Sequence, residues 1–165
     1  MFIYLVQHAE ATKEDVDPSR SLSEKGLQDI KKVASYVSQL NIKVYKIFHS
    51  GKLRAKQTAE VLSENLKPTK GITEVGGLAP LDDADIWEER LKGMTDDIVL
   101  VGHLPHLDKL ASLLLCGNAD KNIVSFKMAG IVCLKRNDIG EWSLQWMLTP
   151  EVVVSEKTID SYHGL

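Results

Sequence analysis

Short apolar runs alternate with amphipathic segments along the chain, which predicts alternating strands and helices. Residues 2–6 (FIYLV) are continuously apolar, which is typical of a strand buried on both faces of a parallel sheet. Residues 98–101 (IVLV) repeat this pattern, and 43–49 (KVYKIFH) is rich in β-favouring residues. We therefore predict three strands with helical segments between them.

Apolar residues at helical spacing predict a helix after each of these strands. The first helix begins near Ser21–Ser23, in a sequence that fits a capping box. Its apolar stripe consists of Leu27, Ile30, Val33, Ala34, Val37 and Leu40. The second helix follows the turn at Ser50–Gly51 and ends before Pro68, and the third begins near Pro105.

This order of elements predicts an α/β fold, a three-layer sandwich whose mostly parallel central sheet is flanked by helices. Residues 71–92 are less regular and form a candidate rim or lid that contains a further short helix. Residues 123–135 and 141–148 predict two more strands joined by a hairpin-type turn. After Pro150 no periodicity indicates an element.

The composition fits a single globular domain. The chain has 165 residues, 44% of them hydrophobic and 26% charged, so we predict one domain over 1–165. A net charge of -3 offers no attraction to nucleic acid or anionic lipid. No apolar run approaches the roughly 20 residues of a membrane-spanning helix, and no signal peptide is evident, so we expect a cytoplasmic protein. We expect Cys116 and Cys133 to be buried free thiols.

Polar segments follow the predicted parallel strands at their carboxyl ends: Gln7–Glu10, Ser50–Thr58 and Gly102–Pro105. Ligands of open α/β sheets bind at this edge. His8, Arg54 and His103 lie in these segments. A histidine can attack phosphorus through a ring nitrogen while cationic groups disperse the charge of the oxygens, so their joint placement suggests phosphoryl transfer without a metal. Taken singly, each of these residues is more often structural or solvated.

Four blocks of sequence stand in a fixed order. They are Gln7-His8-Ala9-Glu10, the run Asp17-Pro18-Ser19-Arg20-Ser21-Leu22-Ser23-Glu24-Lys25-Gly26, the set Ser50, Arg54, Ala55, Gln57, Thr58 and Ala59, and Val101-Gly102-His103-Leu104-Pro105. Together they resemble the histidine phosphatase superfamily, also called phosphoglycerate mutase-like, and most closely its short SixA-type phosphohistidine phosphatases. The resemblance covers the chain to about Leu148. It implies a phosphatase that works through a phosphohistidine enzyme intermediate.

The resemblance also implies roles for individual residues. His8 would be the nucleophile that becomes phosphorylated, and Arg54 and His103 would bind the phosphoryl oxygens, His103 as a protonated or donor imidazole. The remaining substrate-binding candidates are Gln7, Arg20, Ser50 and Glu10, and Glu10 has the alternative of pairing with a basic residue. The histidines that match no motif position, and that we interpret as structural or surface residues, are His49, His106 and His163. No cofactor is expected, and a metal half-site at 103 and 106 lacks a third ligand.

The chain departs from the family beside the nucleophile, where Gln7 stands in place of arginine. Glutamine is neutral and lacks the bidentate charged fork of arginine. Hydrogen bonds to charged groups contribute about 1.5–3 kcal/mol, so the change predicts roughly ten- to hundred-fold weaker phosphate binding. Either Arg54, Arg20 and Lys52 supply the missing charge, or the chain binds phosphate without turnover.

The sequence leaves the general acid and the substrate open. Asp82, Asp83 and Glu74 lie where the family's acid often falls, and a solvated acidic loop is an equal interpretation. Imidazole, with a pKa near 6.5, leaves phosphohistidine readily, whereas an alkoxide needs an acid. We therefore expect a phosphohistidine-bearing protein as the partner, with a small-molecule phosphomonoesterase or mutase as the alternative. The sequence does not indicate an oligomeric state.

Overall fold

The computed structural model describes residues 1–154, so the predictions for His163 and for most of the C-terminal tail lie outside the described residues. The elements in chain order are β1 (Phe2–Gln7), α1 (Glu24–Ser38), β2 (Lys46–His49), α2 (Leu53–Leu66), β3 (Ile72–Glu74), α3 (Asp85–Lys92), β4 (Ile98–Gly102), α4 (His106–Cys116), β5 (Ile131–Arg136) and β6 (Trp142–Leu148), followed by a 3-10 turn at Pro150–Val152. Within residues 1–154 no helix has both the length and the apolar character that crossing a membrane requires.

The strands form one mixed sheet in the order β3-β2-β4-β1-β5-β6. The strands β3, β2, β4 and β1 run parallel to one another, because a helix returns the chain between successive strands. Strand β5 pairs antiparallel with β1. Strand β6 pairs antiparallel with β5, because a short turn joins the two as a hairpin. The carboxyl ends of β1, β2, β3 and β4 therefore share one edge of the sheet.

Helices cover both faces of the sheet, which confirms the predicted three-layer α/β sandwich. Alternate residues of β1 divide between two cores, because successive side chains of a strand point to opposite faces. Tyr4 and Val6 pack with α1 and α2 in one core. Ile3 and Leu5 pack with α3 and α4 in the other.

Four details of the sequence prediction are corrected by long-range contacts. The short edge strand β3 was not predicted, and β2 begins at Lys46 rather than at residue 43. Residues 123–130 are irregular because Ala129 has a left-handed backbone and donates its N–H to Gln7 O at 3.0 Å, so the sheet takes up this segment only from Ile131. Cys133 is buried as predicted, whereas Cys116 is exposed at the end of α4.

Candidate active site

The ends of three parallel strands bring the candidate residues together. His8 follows β1, Ser50 follows β2 and His103 follows β4. The backbone N–H of His8 donates to Gly102 O at 3.0 Å, which continues the pairing of β1 with β4 by one residue. Arg54 reaches the same edge from the first turn of α2. The predicted gathering of residues 8, 54 and 103 is therefore seen in the structure.

The side chains of these residues are in direct contact. The rings of His8 and His103 have centroids 4.9 Å apart and planes inclined by 50°. Arg54 Nε donates to His8 Nε2 at 3.3 Å. Ser50 Oγ lies 2.6 Å from His103 Nε2 on the other side of the pair. The arrangement places two imidazoles, a guanidinium and a hydroxyl together at this edge of the sheet.

A backbone contact selects the tautomer of His8. Its Nδ1 lies 2.7 Å from the carbonyl oxygen of Ala9, a distance that assigns the ring proton to Nδ1 as a donor. The lone pair of Nε2 is then free to accept the Arg54 N–H. His8 thus presents its unprotonated nitrogen to the cationic side of the site.

Thr58 fixes the position of Arg54 relative to the loop of the nucleophile. Its hydroxyl donates to Arg54 O at 2.7 Å and accepts the N–H of Ala9 at 3.0 Å. The side chain is fully buried, so both bonds are shielded from water. Thr58 belongs to the third sequence block, but no role was predicted for it, because a helical threonine gives no signal of the strand end on which it will pack.

The histidines are neutral in the site as it stands. Burial lowers the pKa of His8 to about 4; the Ala9 hydrogen bond opposes this shift, and the charges of Arg54 and Arg20 reinforce it. Burial also lowers the pKa of His103 to about 3, and the charge of His8 contributes in the same direction. At neutral pH His103 is therefore a neutral donor rather than an imidazolium, and the positive charge resides on the arginines.

The charge of Arg20 acts on the ionisable groups of the site. Burial lowers the pKa of both His8 and Arg54, and the charge of Arg20 acts in the same direction on each. The backbone of Arg20 is left-handed, with φ 51°, and its Nε donates to Thr12 O at 3.4 Å. The carboxylate of Asp17 accepts the backbone N–H of Ser21 and so holds the turn before the helix.

Gln7 and Glu10 make different contacts from those expected of substrate-binding residues. Gln7 Oε1 is buried and has no hydrogen-bond partner among residues 1–154. Glu10 Oε1 accepts the hydroxyl of Ser23, the N-cap of α1, at 2.7 Å. Gly26 packs so closely on Glu10 that a Cβ there would lie 2.0 Å from its carbonyl oxygen. The structure thus engages Glu10 in the α1 cap rather than with a basic residue.

Of the three candidate acids, Glu74 ends β3, and Asp82 and Asp83 lie in the loop before α3. Glu74 borders the backbone of Gly51, where a Cβ would be 2.5 Å from its Oε1. Asp82 accepts the N–H of Ala79 at 2.9 Å, and Asp83 accepts the N–H of Asp85 at 3.1 Å. Within the described part of the chain, none of the three carboxylates hydrogen-bonds to the two histidines or the arginine of the site. The resting structure therefore singles out no general acid.

Comparisons with known proteins agree with this geometry. A family model described as the histidine phosphatase superfamily (branch 1) matches residues 3–96. An uncharacterised protein of Picosynechococcus sp. is 34% identical over 143 residues, which cover 82% of this chain and 85% of the relative. The phosphohistidine phosphatase SixA of Escherichia coli is 21% identical over 155 residues, which cover 91% of this chain and 94% of that protein. A structure of the protein histidine phosphatase SixA complexed with tungstate superposes with a TM-score of 0.80 at 20% identity, over 91% of this chain and 97% of that one. The chain belongs to the histidine phosphatase superfamily.

Proposed function

We propose that this member of the phosphatase superfamily removes the phosphoryl group from phosphohistidine in a protein, without a metal, through a phosphoenzyme on His8. The observation that carries the proposal is the orientation of His8, whose Nδ1 donates to Ala9 while Nε2 faces Arg54. An imidazole held in this way has its nucleophilic lone pair directed at the point where cationic groups would hold a phosphoryl group. The similarity to phosphohistidine phosphatase SixA supports the same substrate class.

In the first step, the Arg54 N–H passes from His8 Nε2 to a phosphoryl oxygen, the freed Nε2 lone pair forms a bond to phosphorus, and the bond between phosphorus and the substrate imidazole breaks. The electrons of that bond return to the substrate nitrogen, so a substrate ring protonated on its other nitrogen leaves as neutral imidazole. Arg54, Arg20 and the N–H of His103 stabilise the charge spread over the equatorial oxygens. Phosphorylated at Nε2, the ring of His8 becomes cationic, and the Ala9 carbonyl accepts its Nδ1–H more strongly for that reason.

In the second step, the oxygen of a water molecule attacks the phosphorus atom on phosphorylated His8. The bond from phosphorus to Nε2 breaks, neutral imidazole is restored, and inorganic phosphate leaves with the oxygen of water. The protons of that water end on phosphate and in solvent. Since the charge of the transferred group faces Arg54 and Arg20, these guanidinium groups supply the stabilisation that a metal provides in other phosphatases.

The leaving group favours a phosphoramidate over a phosphate ester. Imidazole has a pKa near 6.5 and departs with little assistance, whereas an alkoxide needs a proton donor. Asp82 and Asp83 bond to backbone N–H groups of their own loop, Glu74 lies beside Gly51, and none of the three hydrogen-bonds to the proposed reacting groups within residues 1–154. The site is thus better suited to cleaving the bond between phosphorus and nitrogen.

A substrate panel tests the proposal. Purified protein is given a phosphohistidine-bearing domain, phosphoserine peptides and sugar phosphates in metal-chelating buffer, and kcat/KM is compared. We expect preference for phosphohistidine and transfer of labelled phosphate to His8, with no label in the variant His8→Ala. Preference for a sugar phosphate would reassign the substrate, and phosphate binding without labelling would identify a binding module.

A further inference from the structure

The ends of β1 and β4 and the start of α4 carry four buried polar atoms that the proposed reaction does not use. They are both ring nitrogens of His106, Nδ1 of His103 and Oε1 of Gln7, and none of them has a hydrogen-bond partner among the residues described. His106 is completely buried, and His103 is 1% exposed. A buried polar atom without a partner costs about 1–3 kcal/mol, and such atoms are normally satisfied by ordered water.

The topology brings these side chains to one place. Gln7 ends β1 and pairs with Gly102, the residue before His103. Its side chain extends from the sheet face that carries Leu5, because strand residues alternate, and α4 packs on this face. His106 is the first residue of α4. A Cβ on Gly102 would lie 3.3 Å from Leu78 O and 3.5 Å from the side chain of Leu107, so the end of β4 packs closely on the first turn of α4.

The charges of the site reach His103 from several elements. Burial lowers the pKa of His103 most, and positive charge at His8, Arg54, Lys52 or His106 lowers it further, in that order. Burial also lowers the pKa of His106. Both rings are therefore neutral at neutral pH, each with one N–H and one lone pair.

His106 is also coupled to the loop before α3. Burial lowers its pKa, and the carboxylates of Asp82 and Asp83 act in the opposite direction. The side chain is therefore a neutral imidazole enclosed between a cationic site and an acidic loop. A neutral imidazole can donate from one nitrogen and accept at the other, which distinguishes it from an apolar residue at the same position.

We infer that His106 is a positioning residue that acts through buried water shared with Gln7 Oε1 and holds the ring of His103 with its Nε2–H directed at the phosphoryl group. The inference rests on the proposed role of His103 in binding phosphoryl oxygens. In the proposed reaction Nε2 donates to a phosphoryl oxygen, so Nδ1 carries the lone pair and needs a donor of its own. Water held by His106 is that donor.

The same cluster accommodates a change of charge on His103. Binding of a phosphoryl dianion favours protonation of this ring, and the new Nδ1–H then needs an acceptor. Gln7 Oε1 and the lone pair of His106, linked by the same water, are the acceptors that the structure offers. This assigns Gln7 a function that arginine, which has no acceptor, could not perform.

The test measures His103 directly in the resting protein. The ring nitrogen shifts of His103 are recorded by long-range ¹H–¹⁵N NMR in wild type, H106L and H106Q. We expect wild type to show one tautomer with its proton on Nε2, H106L to show a mixture, and H106Q to restore the wild-type pattern. With phosphohistidine as substrate, we expect kcat/KM of H106L to fall about ten-fold, as for one lost hydrogen bond.

Ser112→Ala is the matched control, because Ser112 is a buried polar residue of the same helix that accepts the N–H of Ile123 at 3.3 Å. It should lower thermal stability without changing the His103 shifts. Unchanged shifts and kcat/KM in H106L would overturn the inference, as would a crystal structure with no water in contact with His106.

Two further outcomes separate this inference from the proposed function. If H106L does not fold, the ring nitrogen shifts of His103 are measured in Gln7→Leu instead. An unchanged His103 tautomer in Gln7→Leu then counts against the inference. If wild type does not hydrolyse phosphohistidine but the tautomer depends on His106, the proposed function fails while the positioning role stands.

Discussion

Ser50 Oγ and His103 Nε2 lie 2.6 Å apart, and this contact joins the end of β2 to the end of β4 across the proposed phosphoryl site. The hydroxyl contacts the nitrogen that we propose to donate to a phosphoryl oxygen. In the resting protein this contact keeps the His103 ring in the orientation that the proposed reaction requires.

Ser50→Ala should lower kcat/KM for phosphohistidine, because the ring of His103 loses its resting partner. We expect a decrease of about ten-fold, the effect of one hydrogen bond between neutral groups. Ser50→Thr keeps the hydroxyl and serves as the control. Steady-state kinetics on the three proteins check this, and equal kcat/KM in Ser50→Ala and wild type would contradict it.

Arg20 should be the residue that compensates for Gln7. Its charge acts on both His8 and Arg54, so Arg20→Ala is expected to lower kcat/KM roughly ten- to hundred-fold, as for a lost charged hydrogen bond. Gln7→Arg should change kcat/KM of wild type by less than about ten-fold, because the added charge is offset by the loss of the Gln7 acceptor, and it should raise kcat/KM of Arg20→Ala by more than that. A double-mutant cycle measures the coupling, and strictly additive effects would show that the two positions act independently.

Thr58→Val should weaken both stability and activity. The substitution keeps the shape of the buried side chain but removes the hydroxyl that connects Arg54 O to the N–H of Ala9. We expect a loss of about 1–3 kcal/mol in the free energy of unfolding, measured by urea denaturation, together with a lower kcat. Thr58→Ser retains the hydroxyl and should keep kcat near that of wild type; if both variants lose kcat equally, the hydroxyl is not responsible.

Stability should fall as the pH is lowered through the titration range of the site histidines. The folded-state pKa of His8 is about 4 against an ordinary value of 6.5, so between these values the unfolded chain binds a proton that the folded chain does not. The free energy of unfolding therefore rises with pH across this window and levels off above it. His8→Asn should show a shallower slope in thermal melts between pH 4 and 6.5. An identical slope in wild type and variant would mean that His8 is not shifted.

Gly26→Ala should be strongly destabilising even though alanine favours helices. The added Cβ would lie 2.0 Å from the backbone oxygen of Glu10, and neither backbone can move without opening the α1 cap. We expect a loss of about 2 kcal/mol or more in the free energy of unfolding. Gly76→Ala is the control, because a Cβ at Gly76 would meet nothing within 4 Å. Equal stability of the two variants would show that the cap adapts.

The sequence predicted the sandwich and the gathering of His8, Arg54 and His103 because both follow from local patterns. Continuous apolar runs mark strands buried on both faces, and polar residues directly after such strands share one edge of a parallel sheet. The order of the strands and the contacts of each side chain do not follow from local patterns. For example, Arg54 and His8 are 46 positions apart in the sequence, yet their side chains form a hydrogen bond.

What the sequence by itself determined is therefore the class of fold, the superfamily and the identity of the residues at the strand ends, since these depend on residue types and their spacing. Only the tertiary structure decided that Thr58 supports Arg54, that Glu10 belongs to the α1 cap, and that His106 is completely buried. It also decided that residues 123–130 stay outside the sheet and that Cys116 is exposed. The physical reason is the same in each case: burial and hydrogen bonding are properties of what packs against a residue, and those neighbours come from distant parts of the chain.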